Sequence, residues 1–88
     1  MEAMMKTYEY LICNEFDEDI FNKQCEVLEK RLQKLKKEPL MTDVDGTLLQ
    51  IYFWNRCKIK VINDVMLGVN IESEIDLEQL FSKQAMAV

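Results

Sequence analysis

Apolar residues recur at steps of four, three, four and three along Phe21, Cys25, Leu28, Leu32 and Leu35. That spacing puts them on one face of a helix, and Ile20 and Val27 widen the face to a docking stripe. The pattern predicts a long helix over 17–37. Asp17, Glu18 and Asp19 stand where the helix dipole is positive, and Lys34, Lys36 and Lys37 where it is negative. Pro39 is the stop signal and biases Glu38 toward an extended backbone.

Elsewhere the period is two. Lys6 to Cys13 alternates through Tyr8, Tyr10 and Ile12 and predicts a first strand. Leu40 to Thr42 predicts a short strand, and Asp45-Gly46 a tight turn. Thr47 to Trp54 predicts a strand with Leu49, Ile51 and Phe53 on one face and Leu48, Gln50, Tyr52 and Trp54 on the other. Neither face is cleanly polar, which marks a central strand. Asn55-Arg56 is a two-residue turn. Cys57 to Asn63 alternates strictly, with Cys57, Ile59 and Val61 inward. Asn63-Asp64 is another turn, and Val65 to Ile71 alternates again, with Gly68 as a bulge marker. Ser73-Glu74-Ile75-Asp76 has the form of a capping box and opens a second helix packed through Leu77, Leu80 and Phe81. Residues 1–5 and 83–88 are expected as loose ends of one domain spanning 1–88.

The predicted order is β-α-β-β-β-β-α. It implies an α+β fold of two layers, an antiparallel sheet of four to five strands under one long helix, with a short C-terminal helix. The first strand and the strand after the helix are expected as parallel neighbours through a right-handed crossover.

Charge narrows the function classes. The chain carries a net charge of −5 and no histidine. An acidic surface disfavours nucleic-acid backbones and anionic membranes, and it steers basic proteins inward. No apolar run approaches the ~20 residues of a spanning helix, and Met1 to Lys6 has no signal-peptide core. Cys13, Cys25 and Cys57 are odd in number and widely spaced. They predict reduced thiols in a cytoplasmic protein, without a disulfide framework or zinc site. Without histidine there is no serine–histidine or cysteine–histidine catalysis, and no glycine-rich phosphate loop is present.

Asp43-Val44-Asp45-Gly46-Thr47-Leu48 resembles the first motif of the haloacid dehalogenase superfamily, D-x-D-G-T-[LV]. The resemblance implies Asp43 as phosphoryl-accepting nucleophile, Asp45 as general acid–base, and Mg²⁺ between the carboxylates and a phosphate. It ends with those residues. The buried parallel strand before the first aspartate and the later hydroxyl, lysine and acidic motifs have no counterpart, so the expected structure is a hairpin turn. A second stretch, Ile59 to Asn63 through Val69 to Ile71 and then Ile75 to Glu78, looks like the strand-to-helix opening of a TATA-binding-protein repeat. That resemblance implies a DNA-facing surface with basic and wedge-forming residues, which an acidic chain does not favour.

The expectation is a small acidic protein-binding module with no catalytic residues, cofactor or metal. It would work by surface occlusion, as inhibitors and immunity or antitoxin proteins do. The alternative is a homodimeric structural or accessory subunit. Tyr52, Trp54 and Arg56 are the candidate interface, because tyrosine, tryptophan and arginine dominate binding hot spots.

Overall fold

Helix α1 (Glu18–Arg31) starts where the acidic run predicts. The Asp17 side chain accepts from the Ile20 N–H as its N-cap, and Glu18 and Asp19 follow in the first turn. The structure, a computed structural model, describes residues 7–78. Within them α1 follows β1 (Tyr8–Cys13) and precedes β2 (Lys36–Lys37), β3 (Met41–Thr42), β4 (Leu48–Trp54), β5 (Cys57–Asp64) and β6 (Gly68–Ser73). The strands form one six-stranded sheet in the order β1-β6-β5-β4-β2, with β3 also on β4. Every pairing is antiparallel. An α+β protein with an antiparallel sheet and one helix is therefore present among the described residues.

The helix is shorter than its apolar spacing predicts. Leu32 is extended at φ −107° and ψ 116°, and Lys34 has a positive φ of 61°. Leu32 is nonetheless buried, and Leu35 packs on the core. The stripe reaches the core through a turn after its last helical residue. Lys36 and Lys37 then leave as β2 because β4 offers a ladder. Lys36 pairs with Phe53 and Lys37 with Tyr52. The Glu38 N–H donates to Ile51 O at 2.9 Å, and the Gln50 amide donates to Glu38 O.

Three further expectations change. β1 does not lie beside the strand after the helix. It pairs with β6 at the opposite edge of the sheet. The expected strand 65–71 begins only at Gly68, because residues 65–67 form the turn. Splitting 36–42 into β2 and β3 brings the strand count to six. Where the C-terminal helix is expected to open, Ser73 is instead the last residue of β6, and its hydroxyl accepts from the Ile75 N–H at 3.0 Å in a bend. The body of that helix, and the two expected loose ends, lie outside the described residues.

The buried core joins Phe21, Cys25 and Leu28 of α1 to Tyr52, Ile59, Val61, Val69 and Ile71 of the sheet, with Leu77. Each large side chain there contributes roughly 1.5–3 kcal/mol by leaving water. Register explains which sheet residues join. Gln50 and Val61, Tyr52 and Ile59, and Val61 and Ile71 are direct partners, so one continuous face points toward α1.

Gly68 opens β6 at φ +94°, opposite a register shift in β1 between Leu11 and Cys13. A Cβ there would stand 2.2 Å from Cys13 O and 2.6 Å from the Asn14 carbonyl carbon. Both the conformation and the space require glycine. Gly68→Ala is expected to cost about 3 kcal/mol, read as a lower urea midpoint with an unchanged slope. Wild-type stability in that variant would show that the β1–β6 approach is looser than described.

Candidate functional site

Three connections meet at the end of the sheet where α1 begins. The first is the 14–17 segment. Asp17 donates its N–H to Asn63 Oδ1 at 3.0 Å and accepts from Ile20 N at 3.0 Å. The helix start is thereby bonded to the end of β5. Asn63 is fully buried, and its Nδ2 has no hydrogen-bond partner. The second is the β3–β4 turn. Asp43 N donates to Thr47 O at 2.8 Å and Gly46 N to Asp43 O at 3.0 Å. The third is the β5–β6 turn. Asp64 Oδ1 accepts from Met66 N at 2.7 Å and Leu67 N at 3.0 Å. Thr47 Oγ1 accepts from Val65 N at 3.3 Å and joins these last two turns.

The turns satisfy their own backbone and so free their apolar side chains to point outward. Val44 is fully exposed, Met66 is 83% and Leu67 66% exposed, and Phe16 and Val65 are exposed beside them. Leu11 and Ile12 of β1 are exposed as well. A soluble surface seldom groups so many large apolar side chains without using them. Their polar neighbours are carboxylates: Glu15, Asp17, Asp43, Asp45 and Asp64. No lysine or arginine occurs in 7–22, 40–55 or 61–78. Most basic residues lie toward the other end, around the last turn of α1, β2 and Arg56, while Lys23 stands in the first half of α1 and Lys60 lines a hollow with Asp43 and Thr47.

The aspartates of the dehalogenase-like stretch do local work in this turn. Asp43 Oδ1 accepts from Val44 N at 2.7 Å, and Asp45 Oδ1 from Thr47 N at 3.0 Å. The Thr47 backbone hydrogen bond holds the Asp45 carboxyl below its ordinary range. The preceding strand is the exposed pair Met41–Thr42 on the β4 edge, and Asp43 and Asp45 occupy a hairpin connection. Among the described residues no cluster of three or more histidine, cysteine or acidic groups is placed to hold a metal ion.

The residues expected at the interface are not brought together on an open face. Tyr52 is 0% exposed and lies under α1, where its hydroxyl donates to Glu29 Oε2 at 2.5 Å. Trp54 packs against the core, and its Nε1 donates to Gln33 O at 3.0 Å. Arg56 alone is exposed, in the β4–β5 turn at φ 70°. The side of β4 away from α1 carries Leu49, Ile51 and Phe53. They are half-buried, with Lys58 and Lys60 opposite Phe53 and Ile51. Tyr52 is thus enclosed and Trp54 half-buried, each with its polar atom bonded within the chain. Both faces of β4 are apolar, so alternation cannot say which one the helix takes.

Residues 65–67 were hidden by the same ambiguity, since Val65 and Leu67 continue the alternation of Val69 and Ile71. The available signal was Asp64 four positions before Gly68, an Asx-type turn closed by a residue that accepts positive φ.

Beside α1, a groove of about 570 Å³ is lined by Phe21, Asn22, Cys25, Lys37, Pro39 and Gln50 among others. Burial pushes the Cys25 thiol up, which disfavours the thiolate form. No helix among the described residues is long and apolar enough to cross a membrane. Comparison with protein-family models, with curated proteins and with solved structures finds no match.

Below the groove, the Tyr52 hydrogen bond is the main cause that lowers the Glu29 carboxyl, with Lys37 at 3.0 Å adding to it. A depressed carboxyl stabilises the fold above its unfolded pKa, and this is lost as pH falls through the folded value. Glu29 is 40% exposed, so the contribution is modest. Tyr52→Phe should destabilise by about 1 kcal/mol at neutral pH. The difference should shrink as pH is lowered below the ordinary carboxylate range and Glu29 takes up its proton, as followed by urea unfolding. A deficit independent of pH would place the loss in packing instead.

Proposed function

We propose that the chain is a non-enzymatic protein-binding module that acts by occupying a partner's surface, as small acidic inhibitors and immunity or antitoxin proteins do. The observation that carries this reading is the turn end of the sheet. There Phe16, Val44, Met66 and Leu67 are held outward among carboxylates, with no cation in the same segments. Apolar anchors supply affinity by desolvation. The surrounding negative charge speeds the approach of a basic surface and repels acidic ones. Asp64 and Thr47 hold the anchors before any partner arrives, so less ordering entropy is lost on binding.

The reading treats the chain as a two-layer α+β unit continued by a short C-terminal helix. It sets the chain in the cytoplasm, in keeping with free thiols at Cys13, Cys25 and Cys57. A homodimeric structural or accessory subunit is the second reading. It draws on Leu11 and Ile12, exposed on the terminal strand of the sheet. Light scattering separates the two, because a tight dimer insensitive to salt favours the subunit.

Tagged wild-type chain, Met66→Ser/Leu67→Ser and Arg56→Ser, each incubated with native lysate, test the surface. The double variant is expected to lose its captured protein, with affinity weakened about tenfold or more, while Arg56→Ser retains it. Equal capture by wild type and the double variant would remove the turns from the interface. Loss in Arg56→Ser alone would move it to the opposite end of the sheet.

A further inference from the structure

The two edges of the sheet are built differently. On one side the outer edge of β4 is covered by strands of two residues each, with Lys36 and Lys37 in the first and Pro39 between them. Short strands, lysines and proline are the usual means of keeping an edge from pairing further. On the other side β1, six residues long, is the terminal strand among the described residues. It has no lysine, proline or glycine, and Leu11 is 70% exposed on it. Its one irregularity is the register shift between Leu11 and Cys13, which leaves Glu9 to Leu11 as a regular segment.

We propose that the outer edge of β1 takes up an extended, lysine- or arginine-bearing segment of the protein partner as the next strand of the sheet. This rests on the protein-binding reading and specifies how the partner is held. A strand edge presents a row of backbone donors and acceptors that another extended chain completes. Side chains then choose among such chains. Glu9 and Leu11 flank Tyr10 and stand opposite Glu72 and Asn70, while Tyr10 stands opposite the buried Ile71. Glu9 and Leu11 therefore share the sheet face directed away from α1. The segment they fit has a basic side chain beside Glu9 and an apolar one two residues along, beside Leu11. Glu72 is already held by Lys60 at 3.4 Å, so Glu9 is the acidic group left to select the segment, and a second copy of β1 would bring it no lysine or arginine.

The probes are two synthetic octapeptides, one alternating lysine with valine and one alternating glutamate with valine, added to the full chain. Amide hydrogen exchange is the readout. The lysine peptide is expected to slow exchange at Glu9 to Leu11 several-fold, and the glutamate peptide to leave it unchanged. In Glu9→Lys the preference should weaken or invert, with an unchanged unfolding midpoint showing that the fold persists. The inference is overturned if the lysine peptide protects other segments only, or if Glu9→Lys keeps the wild-type preference. Partner capture separates the two levels. If Met66→Ser/Leu67→Ser abolishes capture while Glu9→Lys/Leu11→Lys does not, the binding surface stands and strand addition fails. If neither pair matters, both fail.

Discussion

Asp17 makes two hydrogen bonds on which the arrangement of the molecule depends. Its carboxylate caps α1 through Ile20 N, and its own N–H donates to Asn63 Oδ1 at the end of β5. The first fixes where the helix begins, and the second fixes where that beginning sits on the sheet. With the start pinned, Phe21, Cys25 and Leu28 reach the core that Tyr52, Ile59 and Val61 supply from the sheet. At the far end Trp54 bonds to Gln33, and Tyr52 and Lys37 converge on Glu29. A helix of this length is marginal alone. Its stability comes from the apolar face this anchoring delivers to the sheet.

Much of this was legible in the residues. The acidic start of α1, the alternating strands 48–54 and 57–64 and the turn at Asn55-Arg56 follow from period and turn chemistry, and both turn residues have positive φ. What was not legible depends on partners distant in sequence. Leu32 and Leu35 have helical spacing, yet the chain leaves the helix because β4 accepts Lys36 and Lys37 as a neighbour. That competition between local spacing and a ladder is decided in the tertiary structure. β1 found its place beside β6, and no local signal encodes the strand that will be its neighbour.

Whether an aromatic side chain stays open depends on distant partners in the same way. Tyr52 and Trp54 have the chemistry of binding residues, and in this fold they use it internally, each spending its polar atom on a group of α1 or the turn that follows it. Residue type predicts that an aromatic with a polar handle will find a partner; it does not predict whether that partner belongs to the same chain. Met66 and Leu67 have no such chemistry. They are conspicuous only because Asp64 holds their backbone in a turn that leaves the side chains outside.

The division of residues 36–42 into two short strands on β4 has a consequence for stoichiometry. Because Pro39 interrupts that side, a molecule that acquires a strand at β1 offers no equivalent vacancy across the sheet for another to follow. Growth in one direction is therefore self-limiting. The strand addition proposed at β1 would end in a discrete complex, where a sheet with two open borders would propagate into a fibre.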